Sequence, residues 1–340
     1  MQRCLDLALE GVGHVAPNPM VGAVLVYADT IIGEGYHWQY GEPHAEVNCI
    51  KSVSPANVSL ISKSTLYVSL EPCSHFGKTP PCTDLIIEKK IPEVVIGCKD
   101  IYSEVNGKGI EKLKAAGIKV VVGVMEKEAI AINKRFFIFH QLHRPYIILK
   151  WAQSNDGKIG ALNGERIFIS NEFTNRLVHK WRSEEAAIMV GTNTALHDDP
   201  ALTTRLWPGN DPLRVVIDMD LKLPLSLQLF DGAVRTIVFN QQKQEASGNV
   251  SYYKINKNEK TLHQILDTLY ELKVQSMIVE GGAKLLQSFI DAGLWDEARV
   301  ISNKQLAISN GINAPVLSKN ELLHTMQLET DIIHTYLPTP

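Results

Sequence analysis

The sequence predicts an α/β protein built as two successive layered domains. Three observations carry this. The chain has 340 residues, room for about two domains at roughly 150 residues each. Apolar, β-rich runs alternate with helical runs, the pattern of layered α/β architecture, and that pattern occurs twice. Between the two occurrences, the polar segment 140–145 ends in Pro145. The boundary is placed there, giving domains 1–140 and 146–340. Neither half shows an internal repeat or a low-complexity tract.

In the first half, strands are expected at 21–27, 65–70, 93–98 and 119–124. Helices are expected at 4–10, 45–52, 83–90, 108–116 and 126–139. Gly117 follows the fourth of these and suits the position just past a helix end. The second half opens with a strand at 146–151, and strands follow at 187–191, 213–218, 236–240 and 276–280. Its helices are expected at 172–183, 262–272 and 283–292. The polar stretch 241–258 reads as a surface excursion around one weak strand, 251–255.

Composition narrows the function. At 45% hydrophobic and 21% charged residues, the chain is an ordinary globular protein. A net charge of -3 argues against broad nucleic-acid binding, which shows as a basic domain. No run of about 18 apolar residues suggests a membrane span. Five cysteines without an apolar N-terminal leader read as buried thiols or metal ligands rather than disulfides, so a cytoplasmic protein is expected.

His44, Cys73 and Cys82 are the chemically informative set. One imidazole and two thiolates are ligands zinc favours, and three protein ligands leave a fourth position for water. Zinc brings the pKa of such water to about 7, and a carboxylate beside it can shuttle the proton. Glu46, two residues from His44, is that carboxylate. Zinc deaminases acting on bases carry the same grouping, with two residues between the cysteines. Here eight residues intervene, among them His75, Lys78 and Thr79. His75 competes for the fourth position, and a role beside the ligands or toward substrate is preferred. On an ideal helix, residues i and i+2 lie about 200° apart. The first turn must therefore relax for His44 and Glu46 to share a site. Cys4, Cys49 and Cys98 read as core residues.

The segment Glu71-Pro-Cys-Ser-His-Phe-Gly-Lys-Thr-Pro-Pro-Cys82 resembles the zinc loop of riboflavin-biosynthesis deaminases. Pro17-Asn-Pro-Met-Val-Gly22, Gly33-Glu-Gly-Tyr-His37 and Gly41-Glu-Pro-His-Ala-Glu46 extend the match. So do Lys150-Trp-Ala-Gln-Ser-Asn-Asp-Gly157, Thr194 with Asp198-Asp-Pro-Ala-Leu202, and Val279-Glu-Gly-Gly282. Nearly the whole chain is similar to the bifunctional deaminase–reductases of that pathway; the match loosens from about Asn303. The resemblance implies a cytidine-deaminase-like three-layer domain followed by a dihydrofolate-reductase-like domain. It implies that the first removes the 2-amino group of a ribosylaminopyrimidinone 5′-phosphate as ammonia. It implies that the second reduces the ribosyl group to ribityl with NADPH.

By the same resemblance, Zn2+ sits on His44, Cys73 and Cys82, and Glu46 handles the protons. Asn18, His37, Lys78 and Thr79 contact the phosphorylated pyrimidine. In the second domain, Asp198 binds NADP and is a candidate in the proton chemistry. Gly281 and Gly282 form the NADPH phosphate site at a helix start. Ala152, Phe168 and Thr194 line the cofactor pocket and Leu202 the substrate pocket. Glu280 binds substrate, and Arg182 and Arg205 take its phosphate through bidentate hydrogen bonds. No G-x-G-x-x-G follows the first strand, so a Rossmann site is not supported.

Three departures stand out. Arg166 and Phe168 occupy positions where the family usually has Ser and Trp, so Arg166 is expected to add a phosphate contact or alter the pocket. The segment 100–107 lacks the prolines often found there. Met1 falls at an internal methionine of the family, so an earlier start is expected. A small-molecule partner, no nucleic acid, no membrane and a homo-oligomer complete the expectations. Two other readings compete: a deaminase for another base or nucleotide with a non-catalytic C-terminal domain, and a zinc-stabilised binding protein. The acidic balance and the Cys73–Cys82 spacing speak against the first, and Glu46 against the second.

Overall fold

A computed structural model describes residues 1–76, 80–102, 105–162, 165–258 and 260–339. The chain divides into two compact units, Met1–His143 and Arg144–Pro340.

The first unit contains, in order, α1 (Gln2–Leu9), β1 (Gly22–Tyr27), β2 (Thr30–Tyr36), α2 (Ala45–Lys51), a 3-10 helix (Pro55–Lys63), β3 (Thr65–Leu70), α3 (Cys82–Glu88), β4 (Glu93–Cys98), α4 (Lys108–Ala115), β5 (Lys119–Val122), α5 (Glu126–Ile132) and α6 (Lys134–Leu142). Its sheet runs β2-β1-β3-β4-β5. β1 is antiparallel to both neighbours, and β3, β4 and β5 are parallel. Strand side chains alternate between faces. Ala23, Leu25, Leu66, Val68, Val94 and Ile96 pack with Ala45, Cys49, Ile86 and Leu113 of α2, α3 and α4. Val24 and Tyr67 turn the other way, to Cys4 and Leu7 of α1. Ala129, Phe136 and Phe137 of α5 and α6 join that side with Leu5. The sheet is thus the middle of three layers.

Besides the unexpected 3-10 helix, two features of this unit differ from expectation. β2 was not anticipated, because Gly33 and Gly35 weaken the strand signal. They are required by packing: a Cβ on Gly35 would overlap the Cys49 backbone nitrogen, and one on Gly33 would lie 2.6 Å from the Cys49 carbonyl oxygen. The helix expected at 126–139 is two helices that break at Asn133, whose backbone sits at φ -103, ψ 19. The buried Asn133 amide pairs with both backbone groups of Met20, at 2.8 Å each. That tie fixes the chain next to Asn18. Cys4, Cys49 and Cys98 are buried, and burial pushes all three thiols up.

The second unit contains β6 (Tyr146–Ser154), β7 (Lys158–Ala161), α7 (Glu172–Glu184), β8 (Ala187–Gly191), α8 (Thr192–Asp198), β9 (Leu213–Ile217), β10 (Thr236–Asn240), β11 (Glu245–Ser247), β12 (Val250–Lys254), α9 (Thr261–Glu271), β13 (Ser276–Val279), α10 (Ala283–Asp291), β14 (Glu297–Asn303), β15 (Gly311–Asn313), β16 (Asn320–Leu328) and β17 (Asp331–Pro338). The main sheet runs β11-β12-β10-β9-β8-β13-β6-β14-β17-β16. Its seven strands from β12 to β14 are parallel, with antiparallel strands at both edges. Ile147, Leu149 and Trp151 of β6 face the core formed with α9 and α10. Ala152 belongs to the opposite face, where α7 packs through Val178 and Trp181.

The four strands after residue 296 were not expected. β14 carries charged Glu297 and Arg299, both buried and joined at 2.6 Å. β16 is exposed along nearly its whole length, so it shows no apolar alternation. The 241–258 excursion folds back as β11 on β12, and β12 extends the sheet beside β10. Among the described residues, no helix is long and apolar enough to cross a membrane.

Candidate active sites

His44, Cys73 and Cys82 converge, with their ligand atoms all within 4.8 Å of one another. His44 precedes α2 in an extended conformation, φ -70 and ψ 165. This removes the helical phase problem: His44 is outside the helix, and Glu46 is in its first turn. Cys82 opens α3, and Cys73 follows the end of β3 and Pro72. The His44 Nδ1 lies 3.5 Å from the Cys73 Sγ and 3.4 Å from the Cys82 Sγ. Zinc–nitrogen and zinc–sulfur bonds near 2.0 and 2.3 Å, at a tetrahedral angle, separate the two atoms by about 3.5 Å. The residues present therefore fit a zinc ion in spacing.

They fit in chemistry as well. The Cys82 thiol donates to Cys73 and holds it well below the ordinary thiol range, and the Cys82 backbone N–H also points to that sulfur at 3.3 Å. Cys82 itself is pushed well up by the same contact and by burial. The bond to Cys73 raises His44 against the effect of burial. One imidazole and two thiols whose ligand atoms converge at this spacing are a soft donor set that a divalent cation deprotonates on binding. Glu46 stands outside the triad. It is 3% exposed, and burial, then Cys73, pushes its carboxyl up. A raised carboxyl suits a group that must both take and give a proton near neutrality.

His37 lies beside this centre, its ring 5.5 Å from that of His44 at 75°. Its Nδ1 meets the Pro43 carbonyl at 3.2 Å and its Nε2 meets the Asn18 amide at 3.0 Å. These contacts assign the proton to Nδ1, with Asn18 donating to Nε2. Burial lowers His37, which keeps it neutral. His75 is not in the triad; its Nδ1 is buried with no partner among the described residues. Lys78 and Thr79 lie outside the described residues.

The second constellation follows from strand register. Met277 and Val279 of β13 face the α9–α10 core, so Glu280, next along, turns toward α7. Val279 pairs with Leu149 of β6. Glu280 therefore falls beside Lys150, whose Nζ is 3.6 Å from its carboxylate. From α7, Arg182 forks onto the same carboxylate, with Nε–Oε1 at 2.9 Å and Nη2–Oε2 at 2.8 Å. Its Nη1 donates to the Thr203 carbonyl at 3.2 Å. Burial alone would raise Glu280, but Arg182 and Lys150 hold it at about 2. Burial lowers Lys150 despite the neighbouring carboxylate.

One turn before Arg182, His179 was missed by sequence reasoning. It is 5% exposed. Burial, then Arg182 and Arg205, hold it down at about 4, and its Nδ1 has no partner among the described residues. Its spacing of three from Arg182 on a helix was the available signal. Arg205 is pushed down by partial burial and by Arg182 and Arg166, a crowding of cations that an anion would relieve. Arg166 stacks over Phe168 at 5.1 Å and donates to the Asp198 carbonyl at 3.5 Å. Asp198 and Phe168 are exposed, whereas Leu202 is buried.

Gly282 caps α10, and Gly281 before it has φ +119, a conformation that favours glycine. A Cβ on Gly282 would lie 3.2 Å from the Thr194 Oγ1. The Gly191 N–H donates to the Gly281 carbonyl at 2.9 Å. This joins the starts of α8 and α10 at the carboxyl ends of adjacent parallel strands, where α/β sheets bind ligands. Bare N–H groups at the start of α10 fit a cofactor phosphate. Thr194 and Asp198 lie on α8, and Ala152 on β6.

Comparison with known proteins adds a lineage. Residues 1–98 match the cytidine and deoxycytidylate deaminase zinc-binding region, and residues 145–304 match the RibD C-terminal domain. The chain is 40% identical over 301 residues to the riboflavin biosynthesis protein RibD of Aquifex aeolicus, covering 87% of this chain and 83% of the relative. It is 34% identical to RibD of Escherichia coli, covering 87% and 84%. Among solved structures, it is similar to a diaminohydroxyphosphoribosylaminopyrimidine deaminase/5-amino-6-(5-phosphoribosylamino)uracil reductase from Thermotoga maritima. That match has a TM-score of 0.90 at 35% identity and covers 99% of this chain and 97% of the other. Acinetobacter baumannii RibD superposes with a TM-score of 0.91 at 32% identity, covering 100% and 98%.

Proposed function

The chain belongs to the RibD family of riboflavin biosynthesis enzymes, a zinc deaminase and an NADPH reductase in one polypeptide, and from that membership we propose how its residues divide the work. The cytidine-deaminase unit removes the 2-amino group of a ribosylaminopyrimidinone 5′-phosphate. The dihydrofolate-reductase-like unit then reduces the ribosyl group to ribityl. The observation that carries the reading is the joint presence of the His44, Cys73 and Cys82 triad beside buried Glu46 and the Lys150, Glu280 and Arg182 cluster.

In the first unit, His44, Cys73 and Cys82 would hold zinc, which when bound acidifies water. Glu46 takes the proton of the attacking water, delivers it to a ring nitrogen and assists ammonia in leaving. Its raised carboxyl supports both directions of transfer. Neutral His37 and Asn18, already bonded to each other, orient the pyrimidine; Lys78 and Thr79 are proposed for its phosphoribosyl part.

In the second unit, NADPH supplies the hydride when bound. The start of α10 at Gly281 and Gly282, with Thr194, Asp198, Ala152 and Phe168, holds the cofactor. Arg205 and Arg182 hold the substrate phosphate, and Arg166 adds a third cation that this chain has in place of the usual serine. Leu202 closes the pocket. Opening the ribose ring requires a proton. Lys150, lowered by burial and held by Glu280, supports that role better than exposed Asp198, which stays a cofactor contact with a lesser claim to the proton.

A cytoplasmic setting is supported by five unpaired cysteines. An oligomer of identical chains is supported by exposed Leu322, Leu323 and Met326 on edge strand β16. The test supplies the diaminopyrimidinone phosphate and NADPH to pure protein and follows ammonia and NADPH together. Equal release and oxidation are expected. Ammonia without NADPH loss would leave the second unit non-catalytic, and no ammonia would overturn the reading.

A further inference from the structure

We propose that Glu71 is the positioning residue of the metal centre. It sets where Cys73 presents its sulfur, and the inference rests on the reading of His44, Cys73 and Cys82 as zinc ligands.

Glu71 follows β3 and precedes Pro72 and Cys73. Its own N–H donates to the Cys98 carbonyl at 3.0 Å, extending the pairing of β3 with β4 by one step. Its side chain is 4% exposed. The Oε2 accepts from the backbone N–H groups of Gly107 at 2.9 Å and Asp100 at 3.2 Å. The Oε1 accepts from those of Gly109 at 3.0 Å and Ile110 at 3.2 Å. One carboxylate thus ties the strand carrying Cys73 to the exit of β4 and to the first turn of α4. Backbone donors at a helix start stabilise a buried negative charge.

The tie is tight on the other side as well. A Cβ on Gly109 would overlap the Pro72 carbonyl oxygen, so the first turn of α4 lies directly against the peptide leading into Cys73. Beyond Cys73, its carbonyl accepts from Thr83 N–H at 3.1 Å and its sulfur from Cys82 N–H at 3.3 Å. Cys73 is held from α3 after it and from α4 before it. The hold from α3 acts on Cys73 itself through backbone N–H groups, and the hold from α4 reaches the strand before it through the Glu71 carboxylate. An ordinary helix cap needs no such placement two residues from a ligand. A cap would affect the stability of α4, whereas a positioning residue affects the metal.

The experiment uses the full chain and two variants, Glu71→Gln and Gly109→Ala. The first removes the charge and turns a donor toward the N–H groups. The second leaves the carboxylate and pushes on Pro72 from α4. Zinc affinity is read by competition with a chromophoric chelator, and ligand geometry by the visible bands of the cobalt-substituted protein. Limited proteolysis of the deaminase unit serves as the control for its folding, and reduction of pre-deaminated substrate as the control for the second unit. Both variants are expected to bind zinc about 10–100-fold more weakly, the range seen when groups supporting metal ligands are removed. Shifted cobalt bands and a normal reductase rate should accompany that loss. Unchanged affinity and bands with a lowered Tm would overturn the proposal and leave a simple cap. If Glu71→Gln fails to fold, Gly109→Ala decides, and wild-type zinc affinity in it overturns the proposal. A wild-type chain that binds no zinc would instead overturn the reading of the triad.

Discussion

The two active centres are assembled by different means. The metal triad spans 38 residues of sequence, and each ligand sits at a helix start or just past a strand end. The Arg182–Glu280 pair of the second unit spans 98 residues, and Lys150 reaches it from a third element. The first is specified by a device at each ligand: an extended residue before α2, a proline before α3, and the Glu71 carboxylate after β3 seated against the first turn of α4. The second is specified by register, because Lys150 and Glu280 meet only once β6 and β13 pair. A centre built locally is written as a compact motif. A centre built by sheet pairing is written as isolated residues without a shared pattern.

The contrast can be broken or sharpened by substitutions that act on one centre alone. The largest effect is expected for Glu46→Gln. Ammonia release should fall by roughly 10²–10⁴-fold, the usual worth of a general acid–base group. Zinc content and reduction of pre-deaminated substrate should hold. Deamination at the normal rate would remove Glu46 from the mechanism.

Glu280→Gln comes next. It leaves two buried cations facing one neutral amide, and Arg182 loses its fork. Substrate-dependent NADPH oxidation is expected to drop by roughly 10²-fold, the scale of a 1 Å misplacement in a catalytic pocket. Ammonia release should be unaffected; a parallel loss of deamination would show that the centres are not separable. Asp198→Ala should raise the KM for NADPH by about tenfold, as for loss of one hydrogen bond to a charged group. A normal KM would take Asp198 out of the cofactor site.

The smallest effect concerns acid. His179 is held at about 4, below the value near 6.5 it has in an unfolded chain, so the unfolded chain takes up the proton first. Its share of stability is therefore lost as pH falls from about 6.5 toward 4. Glu280, at about 2 in the fold and about 4.3 outside it, adds stability above pH ~4.3 that is lost as pH falls toward 2. The thermal midpoint of the reductase unit should fall stepwise across both windows. Each kcal/mol corresponds to about 2–4 °C at this size. His179→Asn should flatten the upper window only, and an unchanged slope there would rule His179 out as its source.

Much of the first centre was legible because its residue types are chemically restrictive. Imidazole, two thiols and a carboxylate at short spacing have few joint uses. The Arg182–Glu280 fork and the position of His179 were not legible, since each residue alone resembles an ordinary surface charge or core histidine. Family resemblance named Arg182 and Glu280 but set them on different parts of the substrate, whereas the fold joins them to each other. The strands after residue 296 escaped for another reason. β16 is exposed along its length and β14 buries an ion pair, so neither follows the apolar alternation that marks a strand. Glu71 was visible as a letter in the motif, but its four N–H partners come from residues 100–110, which only the tertiary fold brings near.

Gly33 and Gly35 have a consequence beyond local fit. α2 is seated on β2 with Cys49 backbone atoms directly over Gly33 and Gly35, while Asn48 and Ser52 hydrogen-bond to the Tyr36 carbonyl and the Glu34 N–H. The height of the helix carrying Glu46 above β2 is therefore set where backbone meets backbone at these two glycines, and a Cβ at either would lift it. Substitutions that drift through the rest of the core repack side chains and have little leverage on that height. A side chain at either glycine would therefore be felt at the metal centre, although neither glycine touches it.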